Sequence, residues 1–187
     1  MTKLYFIRHA ESDISVHDDL LRPLTPKGEL SSKLVTRFLQ DKNIVKIYSS
    51  PYKRTIDTIK DFSVNSGLEV EIIEDLRERK VSDKWIGVDN FDNFAKKQWG
   101  DFNYKLEQGE SLVEVQERNI RALEKILNDG EGNIVVGTHG TALSTILNYY
   151  NDEFCYQDFE RIRPQMPYIV CLHFKDGELV NTEEFII

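Results

Sequence analysis

Short apolar runs alternate along the chain with longer amphipathic stretches. Each run is too brief for a helix and is typical of a buried β-strand. The predicted strands are Leu4–Ile7, Ile44–Tyr48, Leu68–Ile73 and Ile134–Val136, followed by a hairpin over Tyr168–Ile187 that turns at Asp176-Gly177. Strands and helices therefore alternate until the C-terminal hairpin.

The amphipathic stretches carry the residues that begin and end helices. Thr25 suits an N-cap and Pro26 the first helical position, while Ser111 and Glu114 form a capping box. The predicted helices begin at Pro26, at Pro51-Tyr52, after Ser111 and at Gly140, and the second ends near Asn65, before Gly67. The apolar face of the first helix is predicted to consist of Leu30, Leu34, Val35, Phe38 and Leu39.

This order of elements predicts an α/β fold, a three-layer α/β/α sandwich around a mostly parallel sheet. A length of 187 residues suits one domain, and no repeat or linker interrupts the chain, so residues 1–187 are expected to form it. The segment 80–108 is less regular and is rich in aromatic residues and lysines. We interpret it as a lid or specificity segment.

The composition is acidic, with 24 Lys and Arg against 32 Asp and Glu and a net charge of −8. A nucleic-acid partner is not expected, because such binding requires a basic face. No apolar run approaches the roughly 18 residues of a membrane span, and no leader peptide is visible, so we expect a cytoplasmic monomer or homodimer without a membrane partner. The two cysteines suit neither a disulfide framework nor a four-ligand zinc site.

Reactive side chains follow the ends of successive predicted strands. Arg8 and His9 follow the first strand, Arg54 lies early in the helix after the second, Glu78 follows the third, and His139 follows the fourth. Ligands of such sheets bind at the carboxyl ends of the strands, where the next helices present their N-termini. We therefore expect these five side chains to converge.

The convergent set suits phosphoryl chemistry. Two guanidiniums match the oxygens of a phosphate, and one imidazole can attack phosphorus while the other donates to the phosphoryl oxygens. A carboxyl group can protonate the leaving alkoxide and then assist the attack of water. Taken singly, each residue is more typical of an ordinary surface position; their conjunction at consecutive strand ends favours a phosphate site that needs no metal ion or other cofactor.

The motifs around these residues resemble the histidine phosphatase superfamily, also called phosphoglycerate-mutase-like. Arg8-His9-Ala10 is similar to the family's Arg-His-Gly, and Ser49–Thr58 matches its Ser-Ser-Pro-x-x-Arg-x-x-x-Thr. The further matches are Leu76-Arg77-Glu78 with Leu-x-Glu, Leu24–Gly28 with Leu-Thr-x-x-Gly, Gly109-Glu110-Ser111 with Gly-Glu-Ser, and His139-Gly140 with His-Gly. All occur in the family's order.

The resemblance implies a phosphoglycerate-mutase-like fold and a histidine acid-type phosphatase, a phosphoric monoester hydrolase acting on a small phosphorylated substrate. Its implied catalytic residues are His9, which would become phosphohistidine, and Glu78, the general acid and base. Its implied phosphate-binding residues are Arg8, Arg54 and His139, with Thr25 as an additional oxygen contact. Three alternatives stay open: a phosphoglycerate mutase, a phosphatase of protein phosphohistidine, and a non-catalytic phosphate-binding module.

Two departures from the family pattern concern the candidate site and the segment 80–108. Ala10 replaces the usual glycine, which would be costly if this position required a positive φ. After Glu78, Trp85-Ile86-Gly87 keeps only part of the family's Gly-x-Trp-Glu-Gly. The aromatic residues and lysines of the segment 80–108, Lys84 and Trp85 among them, could contact substrate, but we favour a packing role for most of the aromatics and a solvated position for most of the lysines.

Overall fold

A computed structural model describes residues 1–83 and 88–187. The predicted features at Lys84, Trp85, Ile86 and Gly87 lie outside the described residues. The strands are β1 (Thr2–Arg8), β2 (Ile44–Ser49), β3 (Val70–Ile72), β4 (Gly132–Thr138), β5 (Tyr168–Lys175) and β6 (Glu178–Phe185). The helices are α1 (Pro26–Leu39), α2 (Lys53–Ser66), α3 (Val88–Gly100), α4 (Leu112–Asn128), α5 (Gly140–Tyr150) and α6 (Tyr156–Ile162).

These strands form one six-stranded sheet in the order β3-β2-β4-β1-β5-β6. The first four of that order are parallel neighbours, whereas β5 is antiparallel to both β1 and β6. The mostly parallel sheet with a C-terminal hairpin is confirmed. The third strand is shorter than predicted, because only residues 70–72 pair with β2.

Helices cover both faces of the sheet, which confirms the three-layer α/β/α sandwich. Residues of α1 and α2 pack on one face, and residues of α4, α5 and α6 pack on the other. Thr25 caps α1, Gly67 ends α2 at a φ of 72°, and the capping box before α4 is present. The second helix begins at Lys53 rather than at Pro51-Tyr52, since Tyr52 has an extended backbone.

The predicted apolar face of α1 is partly wrong. Leu30 and Leu34 are 66% and 41% exposed. The buried positions of α1 are Gly28, Ser32, Val35, Thr36 and Leu39. The buried row includes small and polar residues because α1 packs closely on α2 and on the loop after β1, and an apolar count alone does not detect such a contact.

Candidate active site

The parallel strands β2, β4 and β1 are neighbours in the sheet, and the candidate site lies where they end. Arg8 at the end of β1 pairs with Thr138 at the end of β4, and the amide of His9 donates to the carbonyl of Thr138 at 3.1 Å. On the other side of β4, the amide of Ser50 donates to the carbonyl of Gly137 at 3.1 Å. The residues that follow β1, β2 and β4 therefore meet at one edge of the sheet.

His9 is buried and has its ring fixed by its own loop. Nδ1 lies 2.7 Å from the carbonyl oxygen of Ala10, which only accepts, so Nδ1 carries the hydrogen and Nε2 is left as the free nitrogen. Burial, and then the charges of Arg54 and Arg8, hold the pKa of His9 well below its usual value. The ring is therefore neutral at neutral pH.

His139 is the second buried imidazole of the site. It is the N-cap residue of α5, and its ring centroid lies 5.4 Å from that of His9. Nε2 is 2.6 Å from the hydroxyl oxygen of Ser50, whereas Nδ1 is buried with no hydrogen-bond partner in the described part of the chain. Burial, followed by the charge of Arg54, lowers its pKa well below the usual value.

Arg8 joins the site to the end of α6. Its Nη1 donates to the carbonyls of Ile162, Arg163 and Gln165 at 2.8, 2.8 and 3.1 Å. Its Nε is buried and has no partner among the described residues. Burial lowers the pKa of Arg8 to about 10, so the group remains a cation at neutral pH.

The guanidinium of Arg8 lies against the start of α5 at Gly140. A Cβ at this glycine would lie 3.2 Å from both Cζ and Nε of Arg8. The glycine of the His-Gly motif therefore makes room for the arginine of the Arg-His motif.

Arg54 is the second buried guanidinium, and the loop after β1 contacts it. Its Nη1 donates to the carbonyl of Asp19 at 2.6 Å, and the Asp19 carboxylate lies at 3.4 Å. Its Nε is buried and lacks a partner in the part of the chain that the structure describes. The ring of Tyr52 lies 4.8 Å from the Arg54 guanidinium and 4.9 Å from the ring of His139.

Glu78 faces the N-terminus of α5. Its Oε1 accepts the amides of Arg79 and Ala142 at 2.7 and 3.1 Å, and its Oε2 accepts the amide of Thr141 at 3.0 Å. A carboxylate offers about four lone-pair sites, so one site on Oε2 remains to carry or accept a proton. Glu78, which follows the third strand, is thus bonded to the backbone amides of the helix that follows the fourth strand.

Glu110 of the Gly-Glu-Ser element holds Arg118, a residue that the sequence analysis missed. Arg118 forms a two-point ion pair with the Glu110 carboxylate at 2.8 and 2.9 Å. It also donates to the carbonyls of Asp75 and Arg77 at 2.8 and 2.7 Å and to that of Glu78 at 3.2 Å. This buried guanidinium fixes the backbone that carries Glu78.

Thr25 is not joined to the other predicted residues. Its amide donates to the carbonyl of Glu11 at 2.9 Å, and its hydroxyl lies 2.9 Å from the Glu11 carboxylate and accepts the amide of Gly28. Its donors are therefore committed within the loop. A Thr25–phosphate contact stays a prediction, and it would require these bonds to break.

Ala10 replaces the family glycine without backbone strain. Among the described non-glycine residues, positive φ occurs only at Asn43, Gln108 and Asp176. The methyl group of Ala10 is fully buried, and its amide donates to the hydroxyl of Thr58 at 3.0 Å. The alanine therefore fits the loop as it stands.

The described aromatic residues of the segment 80–108 mainly pack. Phe94 is buried, and Trp99 lies against Phe154 and Phe159 at ring distances of 5.9 and 5.7 Å. Lys105 pairs with Glu114 on the surface. These contacts agree with the predicted packing role.

The described residues contain no group of three or more His, Cys, Asp and Glu side chains that could hold a metal ion. Within the same residues, no helix has the length and apolar character that crossing a membrane requires.

The family model of the histidine phosphatase superfamily (branch 1) matches residues 4–183. The chain is 24% identical to rat 6-phosphofructo-2-kinase/fructose-2,6-bisphosphatase 4, over 90% of its own length and 35% of that protein. It is 32% identical to phosphoserine phosphatase 1 of Hydrogenobacter thermophilus, over 67% of the chain and 64% of the relative. For the probable phosphoglycerate mutase GpmB of Serratia proteamaculans the identity is 27%, over 79% and 74%. The chain thus spans about a third of the rat protein and under two thirds of the Hydrogenobacter phosphatase.

The fold is also that of solved structures. A mutant of phosphoserine phosphatase from Entamoeba histolytica, in complex with phosphoserine, superposes with a TM-score of 0.77. The match covers 98% of this chain and 96% of that one at 22% identity.

Proposed function

Because the chain belongs to the histidine phosphatase superfamily, and because its relatives named above include phosphatases and a probable phosphoglycerate mutase, we propose that it is a metal-independent phosphomonoesterase. In this proposal the substrate is a small phosphorylated molecule and the reaction passes through a phosphohistidine at His9. The proposed enzyme class is histidine acid-type phosphatase.

The observation that carries the proposal is a set of buried nitrogens around His9. Nε of Arg8, Nε of Arg54 and Nδ1 of His139 are all buried without a hydrogen-bond partner among the described residues. Leaving a buried polar group unpaired costs about 1–3 kcal/mol. A phosphoryl group offers several acceptor oxygens, and two cations beside it match its charge.

The tautomers suit this assignment. The Ser50 hydroxyl can donate to Nε2 of His139, which places the hydrogen of the neutral ring on Nδ1, the unpartnered nitrogen. That N–H can donate to a phosphoryl oxygen. At His9 the arrangement is the reverse, because Nδ1 donates to Ala10 and Nε2 keeps its lone pair for attack.

The reaction then proceeds in two displacements. Nε2 of His9 attacks phosphorus, the bond from phosphorus to the ester oxygen breaks, and Glu78 donates its proton to the leaving alkoxide. In the second step Glu78 takes a proton from water as the water oxygen attacks phosphorus. The P–N bond breaks, inorganic phosphate forms and neutral His9 is restored.

The proposal is tested by hydrolysis of a panel of phosphate esters in the presence of EDTA. We expect phosphate release by the wild type and by His17→Ala, a control histidine on an exposed loop, and none by His9→Ala. Rapid acid-free quenching of a ³²P-labelled reaction should trap an alkali-stable label on the wild type and on His17→Ala but not on His9→Ala. Equal rates for wild type and His9→Ala would overturn the proposal.

Three further assays separate the alternatives. Isomerisation of 3-phosphoglycerate with a bisphosphoglycerate primer, with little free phosphate, would identify a mutase. Release of phosphate only from a phosphohistidine protein would identify the protein phosphatase. Binding of inorganic phosphate without release from any substrate would identify a binding module.

A further inference from the structure

Two buried polar side chains outside the predicted site, Arg79 and Gln98, are linked to the segment that carries Glu78. Arg79 follows Glu78 directly in the chain and is 3% exposed, and Gln98 lies in α3 and is fully buried. Nη1 of Arg79 donates to Oε1 of Gln98 at 2.6 Å. Neither residue belongs to the motifs identified in the sequence.

These two residues belong to a closed ring of hydrogen bonds that begins and ends at Glu78. From Gln98, Nε2 donates to the carbonyl of Glu110 at 2.9 Å. The Glu110 carboxylate is paired with Arg118, which donates to the carbonyl of Glu78 at 3.2 Å. The amide of Arg79 donates to Oε1 of Glu78 at 2.7 Å and closes the ring.

The ring connects three separate parts of the chain. Nε2 of Gln98 also donates to the carbonyl of Tyr104 at 2.9 Å, so Gln98 ties α3 to the turn that precedes α4. The Arg79 guanidinium lies over the rings of Phe91 and Phe94 in α3, at 5.3 and 4.9 Å. Helix α3 is therefore attached to the residue next to Glu78 by a hydrogen bond and by two aromatic faces.

The chemistry of the pair indicates why it is buried. Burial lowers the pKa of Arg79 to about 10, with the Glu78 carboxylate acting in the opposite direction, so Arg79 is a cation at neutral pH. A buried guanidinium is costly unless its surroundings satisfy it. Here one nitrogen has a neutral amide partner, and Nε has none among the described residues. A buried guanidinium with so few partners is poor evidence that Arg79 stabilises the fold. It is better evidence that Arg79 orients the groups around it.

We propose, building on the phosphatase function above, that Arg79 and Gln98 are positioning residues for Glu78. They fix the Glu78 carboxylate so that the remaining lone-pair site of Oε2 faces the leaving oxygen of the ester. The segment 88–110 then governs leaving-group protonation through the backbone of residues 78 and 79.

The test uses Gln98→Leu. Leucine has a similar volume, but it can neither accept the hydrogen bond from Arg79 nor donate one to the carbonyl of Glu110. The matched control is Gln116→Leu, because Nε2 of Gln116 also donates to a backbone carbonyl, that of Thr145 at 2.9 Å, outside the ring. Each variant is assayed with an alkyl ester, phosphoserine, and with p-nitrophenyl phosphate, whose leaving group scarcely needs a proton. The same substitution is repeated in a Glu78→Gln background.

We expect Gln98→Leu to lower kcat/KM for the alkyl ester about 10-fold or more, with p-nitrophenyl phosphate hydrolysis within about 3-fold of wild type. In the Glu78→Gln background the same change should have no additional effect on the ratio of the two rates. Gln116→Leu should keep the wild-type ratio. Equal losses on both esters, or an undiminished effect without the Glu78 carboxyl group, would overturn the positioning role.

A second pair of variants keeps the test decisive if Gln98→Leu unfolds. Arg79→Lys retains the charge and a donor, whereas Arg79→Met retains neither. Arg79→Lys should restore at least half of the alkyl-ester selectivity that Arg79→Met loses, and failure of this rescue would argue against the proposal. Absence of hydrolysis by the wild type would instead refute the phosphatase function itself, so the two failures are distinguishable.

Discussion

The hydroxyl oxygen of Ser50 lies 2.6 Å from Nε2 of His139, and both groups are buried. The amide of Tyr52 donates to the same hydroxyl oxygen at 3.1 Å. Ser50 thus links the turn after β2 to the imidazole that starts α5. The ring orientation of His139, and the nitrogen that carries its hydrogen, depend on this contact.

Replacing Ser50 by alanine should therefore impair catalysis more than folding. Loss of the contact lets the His139 ring rotate and change tautomer, and a misplacement of this kind costs on the order of 10²-fold in rate. We expect kcat/KM for p-nitrophenyl phosphate to fall at least 10-fold in Ser50→Ala. Ser144→Ala, a buried serine of α5 that donates to the carbonyl of Gly140, is the control. Similar losses in both variants would contradict the assignment.

Gly140→Ala should disturb Arg8. The new methyl group would stand 3.2 Å from Nε of Arg8, so the guanidinium must shift by a few tenths of an ångström. We expect kcat/KM to fall about 10-fold, chiefly through weaker phosphate binding. Gly100→Ala is a suitable control, since nothing lies within 4 Å of a Cβ there. Unchanged product inhibition by inorganic phosphate in Gly140→Ala would count against this contact.

Glu78→Gln should separate esters by their leaving groups. The amide retains much of the shape of the carboxyl group but has no acidic proton, and general acid catalysis contributes about 10²–10⁴-fold. Hydrolysis of phosphoserine should fall at least 10²-fold, while that of p-nitrophenyl phosphate falls less than about 10-fold. Glu74→Gln, which changes a nearby exposed glutamate, is expected to keep both rates. Equal losses on the two esters would remove Glu78 from this role.

The low pKa of His9 predicts a loss of stability in mild acid. The unfolded chain binds a proton at His9 below about pH 6.5, whereas the folded chain does so only well below that pH, so the free energy of unfolding falls as the pH drops. One such group contributes about 1.4 kcal/mol per pH unit. Urea unfolding of His9→Asn at pH 7, 6 and 5 should give a slope shallower by about this amount.

His17→Asn is the matched control for this experiment, as it replaces an exposed histidine. Its unfolding at the same three pH values gives the baseline with which the His9→Asn slope is compared. A His9→Asn protein that loses stability as steeply as the wild type would show that His9 is not neutral in the folded state.

The centre of the site could be predicted from the sequence because it depends on local patterns alone. An apolar run followed by Arg8-His9 or by His139 places these residues at the end of a strand wherever the strand lies in the sheet. The parallel pairing of β1 and β4 then brings them together. The chemical roles of the individual residues remain predictions until the variants above are assayed.

The supporting residues could not be predicted in this way. Asp19, Arg118 and Gln98 reach the site through contacts between segments distant in sequence, and no periodic pattern marks such contacts. Thr25 shows the same limit. Its N-cap position was predicted correctly from the local sequence. Its bonds to Glu11, which occupy the donors proposed for phosphate, depend on how the loop folds back and leave no local pattern. Helix α6 is short, at seven residues, and has too few turns to show a face.

The bonds from Arg8 to the carbonyls after α6 have a consequence for biosynthesis. They join the eighth residue to partners 154 to 157 positions later. During translation, the Arg-His motif is synthesised long before Ile162 and Gln165, whose carbonyls accept hydrogen bonds from Arg8. Contacts of such separation form late, after the loops between them have closed. The nascent chain therefore carries Arg8 without these partners until residues 162 to 165 have been synthesised, and the guanidinium reaches its anchored position only then.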